Sequence, residues 1–249
     1  MRAEDVRRHI STPLRTPVYP PRATRFTDRE YFNVVYRTDP AALREAVPEP
    51  LELGDEPLVR FEVMKMGDVE GFGPYLECGQ VIPVRYGEEH GEYLHAMHLN
   101  HFGATAAGRE LSAYPKTIGS PALFPDQGAL IGTLDYGTQR VATATMAYQW
   151  QPLDPAEART QIGVPTYAVK IVPGLVCELV HTRITDLTVK AAWTGPARLQ
   201  LFAHVMAPLA DLPVLEVVSA SHIVTDLTLA PMTKVHDYLV DPAPPRHGD

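Results

Sequence analysis

Between Leu58 and Tyr86 the chain reads LVRFEVMKMGDVEGFGPYLECGQVIPVRY, and this stretch decides the fold class. Its two ends, Leu58 to Lys65 and Tyr75 to Tyr86, are apolar and β-branched runs of strand length, parted by a glycine-rich breaker. Runs of the same kind recur at Tyr31 to Arg37, Ala129 to Asp135, Arg140 to Trp150, Thr166 to Ile171, Leu175 to Val189 and Leu215 to Thr225. Helical signals are fewer. Asp39-Pro40 opens a short turn through Val47, Asp154-Pro155 opens an Ala/Glu-rich stretch, and Arg198 to Met206 places Leu199, Phe202 and Met206 roughly on one face. The order lacks the regular βαβ alternation of a parallel sheet. The expected class is mainly β (α+β): a mostly antiparallel, partly closed sheet with peripheral helices.

The 24 prolines and 17 glycines are spread throughout rather than gathered in a linker, so they punctuate short elements. One domain over residues 1–249 is expected, with a frayed Pro-rich tail at 241–249. The hydrophobic fraction of 45% and charged fraction of 21% are those of an ordinary packed protein. A formal net charge of -8 argues against a nucleic-acid partner, which needs a clustered basic surface. Nothing resembles a membrane-spanning stretch, and Arg7-Arg8 is followed by Ser11, Thr12 and Pro13 rather than by the apolar core of a secretory signal. The cytoplasm is the expected location. Cys78 and Cys177 lack the spacing of a zinc or redox pair and read as reduced thiols.

The chain has no GxGxxG after a strand, no P-loop, no HExxH and no GxSxG, which removes the usual anchors of nucleotide, zinc-protease and serine-hydrolase chemistry. His95, His98 and His101 have a spacing that would align ligands on a helix, but on a strand His95 and His98 face opposite ways. A metal site there is not expected.

Lysine is sparse, with five against seventeen arginines, and Lys116 stands in the mostly apolar setting Leu111-Ser-Ala-Tyr-Pro-Lys116. Burial disfavours an ammonium and lowers a lysine pKa by about 3 to 5 units, and carbonyl chemistry requires the neutral amine. Glu77 alternates with Tyr75, Gly79 and Val81 on one face of its strand, where an unpaired buried carboxylate would be costly. Glu62 alternates with Phe61 and Val63, which fits either a site residue or a solvent-facing one.

A longer pattern surrounds these residues: STPLRTP from Ser11, DREYFNVVYRTD from Asp28, VPEPLE from Val47, EPLVRFEVM from Glu56, GRELSAYPK from Gly108, GTLDYG from Gly132, RVATATMAY from Arg140, AWTGPARLQLF from Ala192, MAPLADLPV from Met206 and SHIVTDLTL from Ser221. In this order and spacing the sequence resembles the acetoacetate decarboxylase family from Ser11 to about Tyr238. The resemblance implies a cone-shaped, mostly antiparallel β-barrel in a large homo-oligomer, a dodecamer. It also implies conversion of a small β-keto acid, acetoacetate, to acetone and carbon dioxide without metal or organic cofactor. On this resemblance the Schiff-base lysine is Lys116, the active-site arginine Arg29 and the two carboxylates Glu62 and Glu77. Phe26, Met97 and Tyr114 are candidates for the pocket wall. Arg29 is expected to orient the substrate carboxylate or to pair with Glu77, since its planar fork suits a bidentate partner.

One position departs from the family pattern, which usually reads Pro-Lys-Lys: the second lysine is Thr117 here. A cation about 6 Å away at an effective dielectric near 20 contributes roughly 2.8 kcal/mol, an effect absent with threonine. In an extended segment, however, consecutive side chains diverge, so desolvation is expected to keep Lys116 reactive. Two other functions share the scaffold: an aldolase-dehydratase acting on pyruvate and an aldehyde through the same lysine, and a non-catalytic barrel that binds small ligands.

Overall fold

The computed structural model describes residues 1–20 and 24–240, so the tail at 241–249 lies outside the described residues. Helix α1 (Ala3–Val6) precedes the long strand β1 (Thr24–Arg37), and helix α2 (Pro40–Ala46) follows it. Next come β2 (Glu52–Leu53), β3 (Leu58–Val69), β4 (Tyr75–Tyr86), β5 (Glu89–Leu99), helix α3 (Phe102–Ser112), β6 (Lys116–Ile118), β7 (Ser120–Asp126), β8 (Ala129–Tyr136), β9 (Gln139–Ala147) and β10 (Gln151–Pro152). Helix α4 (Pro155–Ile162) leads into β11 (Thr166–Val172), β12 (Val176–Thr182), β13 (Ile184–Thr194), β14 (Ala197–Leu201), β15 (Glu216–Leu229) and β16 (Thr233–Asp237).

The strands form two sheets. The larger runs β10-β13-β15-β1-β3-β4-β5-β11-β12-β16, with β2 paired to β4 and β6 to β5; the smaller runs β14-β9-β8-β7. Pairing is antiparallel except where β11 and β6 join β5 in parallel. The mainly-β class is as expected, but the larger sheet is not closed into a barrel. Its hydrogen-bonded path ends on β10 at one side and β16 at the other.

Alternation on the central strands gives each a face for packing and a face for chemistry. Phe32 and Val34 of β1, Phe61 and Val63 of β3, and Cys78 and Ile82 of β4 join Leu130, Leu134, Val141 and Ala144 of the smaller sheet in one core. Each such side chain contributes roughly 1.5–3 kcal/mol through burial. The opposite faces are buried too, with Tyr31, Met64, Met66 and Tyr75 in a second cluster. Double-sided burial makes these segments read as nearly continuous apolar runs, and any charge on their inner face is shut away from water.

Asp39 and Asp154 cap α2 and α4 by accepting from the Ala42 and Ala156 amides, each followed by the proline of the first helical turn. The helix expected over Arg198 to Met206 is instead the strand β14 followed by a loop. Ala197 and Leu199 are buried at a period of two against β9, and pairing overrides the weak helical spacing. The Leu175 to Val189 run is two strands, divided at Arg183. Strand β5 and helix α3 are missing from the sequence-based expectation. The first is rich in His and Glu, and the second carries two glycines and a histidine cap: His101 Nδ1 accepts from the Ala104 amide at 3.0 Å.

A buried chamber around Lys116

Pairing across the larger sheet lines up one transverse row on its inner face. Lys116 stands opposite Met97, Met97 opposite Gly79, Gly79 opposite Glu62, and Glu62 opposite Asn33. The next inner position along β4 is Glu77, which faces Met64 of β3, and Met64 faces Tyr31 of β1. Residues far apart in sequence thus share one face because each occupies the same parity on its own strand. A bulge at Gln80/Val81 resets that parity on β5, so Leu94 and Met97, three residues apart, both line the chamber. For the same reason His95 and His98 do not follow simple alternation, and neither lines the chamber. Among the described residues no three His, Cys, Asp or Glu side chains gather as metal ligands.

Lys116 is placed by the end of α3. The helix stops on Ala113 in the left-handed conformation at φ 61°, the Tyr114 amide donates back to the Gly108 carbonyl at 2.9 Å, and Pro115 turns the chain into β6. Arg109 Nη1 donates to the Lys116 carbonyl at 3.0 Å. The lysine stem lies against Gly108, where a Cβ would come within 2.4 Å of Lys116 Cδ. Lys116 is buried, and its Nζ lies 2.9 Å from Glu77 Oε2, 5.8 Å from the Tyr75 ring centre and 5.4 Å from that of Tyr114.

Arg29 reaches the same space by a different device. Asp28 has φ 52°, and the register of β1 against β15 shifts between Phe26 and Arg29, so both of those side chains turn inward. The buried guanidinium lies 5.0 Å from the Phe26 ring centre and 4.6 Å from that of Tyr31, with Nη2 2.9 Å from Met64 Sδ. Its Nε has no hydrogen-bond partner among the described residues. The expected Arg29–Glu77 ion pair is not formed: Lys116 takes the Glu77 carboxylate, and no carboxylate among the described residues lies within ion-pair distance of Arg29. Burial works against the Arg29 charge, yet the acidic groups around it, Tyr31, Glu77, Tyr75 and Glu62 together, outweigh burial and keep the pKa above the ordinary arginine value.

Glu62 does not face solvent. It is buried, and Arg60 Nη2 stands 3.4 Å from its Oε2. Burial raises its pKa, with Arg60 opposing and Glu92 adding to the rise. Arg60 also bonds Glu92 through its two terminal guanidinium nitrogens, Nη2 to Oε2 at 2.7 Å, and donates to the Gln161 carbonyl at 2.8 Å. Burial pushes the Tyr31 hydroxyl up to about 12 and raises Tyr114 as well, so both stay protonated donors.

The structure therefore brings Lys116, Arg29, Glu62, Glu77, Phe26, Met97 and Tyr114 around one chamber of about 60 Å³. Sequence reasoning missed Arg60, Glu92 and Gly108, and set Tyr75 on the Glu77 face without giving it a role. Arg60 was within reach, since it shares the parity of Glu62, two residues on. Glu92 required a strand the sequence did not reveal, and nothing local marks Gly108.

The sequence from residue 11 to 239 matches the family described as Acetoacetate decarboxylase (ADC). The chain belongs to the acetoacetate decarboxylase family. An acetoacetate decarboxylase of Streptomyces nogalater is 57% identical, the match covering 96% of this chain and 100% of that one. A solved acetoacetate decarboxylase structure superposes with a TM-score of 0.93 at 55% identity, covering 96% of this chain and 100% of that one. The crystal structure of the Legionella pneumophila acetoacetate decarboxylase gives 0.90 at 40% identity, covering 96% and 98%. Among the described residues no helix is long and apolar enough to cross a membrane.

Proposed function

We propose that this chain decarboxylates acetoacetate to acetone and carbon dioxide through a Schiff base on Lys116. The observation that carries this reading is a buried lysine amine paired with a buried carboxylate, Glu77, at 2.9 Å, in one chamber with an arginine that lacks a carboxylate partner among the described residues. Membership of the acetoacetate decarboxylase family supports the substrate.

The chemistry follows from the groups present. Glu77 is placed to take a proton from the Lys116 ammonium, leaving a neutral amine that attacks the ketone carbon. Loss of water gives an iminium. The C–C bond to the carboxylate then breaks, its electron pair moves through the adjacent carbon to the iminium nitrogen, and carbon dioxide leaves. The lysine serves as the electron sink that a cofactor would otherwise supply. Protonation of the enamine carbon and hydrolysis of the ketimine release acetone and restore the amine. Glu62, in the same chamber and with its pKa raised by burial, is assigned to deliver that proton.

Arg29 is assigned to hold the substrate carboxylate with its open Nε. Its help is positional, because the pair it makes weakens as the carboxylate becomes neutral carbon dioxide, and an interaction lost in the transition state does not accelerate the step. Phe26, Met97 and Tyr114 exclude water, which favours loss of charge from the departing group.

The family assignment does not favour an aldolase-dehydratase acting on pyruvate. The test is to incubate the protein with acetoacetate, measure carbon dioxide, and reduce with borohydride. A mass adduct on the Lys116 peptide is expected, with Lys116→Arg abolishing both signals and Glu77→Gln lowering turnover by about 10²–10⁴, the usual range for a proton-transfer residue. Carbon dioxide release without an adduct would contradict the mechanism, and adduct formation without release would favour the aldolase reading.

We further read the protein as one domain, cytoplasmic and homo-oligomeric. Pairing of β1 with β15 joins early and late parts of the chain in one sheet and supports the first. The exposed apolar side chains of Ile171 and Leu175 around the β11–β12 hairpin, and of Val205 and Met206, support a surface covered by another copy.

A further inference from the structure

The chamber of about 60 Å³ adjoins two much larger cavities. One, of about 550 Å³, is walled by apolar side chains such as Ile10, Phe72, Leu111 and Met232, and it touches the chamber along Phe26, Tyr75, Tyr114, Leu229 and Lys116 itself. The other, of about 590 Å³, carries the charged and polar side chains Asp55, Arg85, His90 and Gln161 among apolar ones such as Val35 and Val84. Among the described residues it shares just two side chains with the chamber, Arg60 and Glu92.

Those two side chains are bonded to each other. The Arg60 guanidinium grips Glu92 with two nitrogens, touches Glu62 from behind and is tied to the Gln161 carbonyl at the end of α4. A fork-to-carboxylate pair is the one contact that a keto acid can replace in kind, because its own carboxylate fits the same fork, while the displaced Glu92 turns into the polar cavity whose wall it also forms. The apolar cavity presents no guanidinium among the described residues, so an anion crossing it meets no cation until it reaches Lys116 itself, a cost that a neutral ketone does not meet.

We propose that the polar cavity is the entrance for the anionic keto acid, that Arg60 admits its carboxylate by exchanging Glu92 for it, and that the apolar cavity is the exit for the neutral ketone. This inference rests on the reading of the chamber as a decarboxylase site. Arg60 then acts as a specificity residue: it selects a carboxylate before the substrate meets Lys116.

Two near-isosteric variants, Ser219→Cys in the polar cavity and Ser112→Cys in the apolar one, are made in a Cys177→Ser background and labelled with a pyrenyl maleimide. Each is assayed twice: for kcat/KM with acetoacetate, and for the rate at which acetone exchanges its methyl hydrogens for deuterium in heavy water, which needs the Lys116 enamine but no charged reagent; the unlabelled parent is also trapped with acetone and borohydride. The label on the Ser219→Cys variant is expected to lower kcat/KM tenfold or more while leaving acetone exchange within twofold. The label on the Ser112→Cys variant is expected to slow acetone exchange tenfold or more and to leave kcat/KM for acetoacetate within threefold. The unlabelled variants control for folding. An unchanged kcat/KM after labelling the Ser219→Cys variant would overturn the separate entrance, as would equal slowing of both ligands by the Ser112→Cys label. Absence of any Lys116 adduct in the unlabelled parent would overturn the decarboxylase reading as well, which separates the two failures.

Discussion

At the scale of single residues, the reactive amine depends on a missing side chain. Gly108 faces Lys116 across a gap that a methyl group would close, since its Cβ would stand 2.4 Å from Cδ and 2.9 Å from Cε of the lysine. Lys116 is buried and tied to Glu77, so its stem has little room to yield. For Gly108→Ala, overpacking of about 1–3 kcal/mol is opposed by a helix-propensity gain of about 0.5–1 kcal/mol, giving a modest fall in stability. The larger expected effect is on chemistry: borohydride trapping at Lys116 slows tenfold or more while the urea midpoint moves little. Equal losses in both would mean that Gly108 serves packing alone.

At the scale of elements, the three-residue strand β6 decides what Thr117 means. Lys116 pairs with Met97 on the chamber face, whereas Thr117 pairs with His98, which points away towards Tyr136. A lysine at position 117 would therefore project from the opposite side of the strand. Thr117→Lys is expected to leave kcat/KM for acetoacetate within about threefold, read from carbon dioxide release. A tenfold gain would show that an adjacent ammonium activates Lys116 despite this geometry. The parity argument was available from sequence once residues 116–118 were taken as extended. The same rule failed on β5, where the bulge puts Leu94 and Met97 on one side, and a bulge leaves no mark in the residues that form it.

At the scale of the whole molecule, stability is tied to a histidine outside the chamber. His98 is buried with neither ring nitrogen hydrogen-bonded among the described residues, and burial, with His204 adding, lowers its pKa from 6.5 to about 4. Between those values the unfolded chain binds the proton that the folded chain refuses. Stability is therefore complete above about pH 6.5 and falls as the pH drops towards 4. At roughly 1.4 kcal/mol per pKa unit the loss reaches about 3 kcal/mol. His98→Met, which has no group to protonate, is expected to flatten the decline in urea midpoint between pH 6.5 and 4 relative to the unsubstituted protein. Parallel curves for the two proteins would exclude His98 as the source.

The sequence by itself determined the mainly-β class, most strand positions, the caps of α2 and α4, and the family, with Lys116, Arg29, Glu62 and Glu77 singled out. These follow from local period, from turn chemistry and from a pattern held over nearly the whole chain. Tertiary structure alone decided which charges meet. Lys116 rather than Arg29 takes Glu77, and Arg60 and Glu92 stand between the chamber and a second cavity. Pairing of this kind depends on strand register across five neighbouring strands, on one bulge and on the space left by one glycine. A one-residue change in any register would send the charges to the other face, so no reading of single strands could settle it. Lys116 began as a lysine after a proline; its partner and its position against Gly108 exist only in the folded sheet.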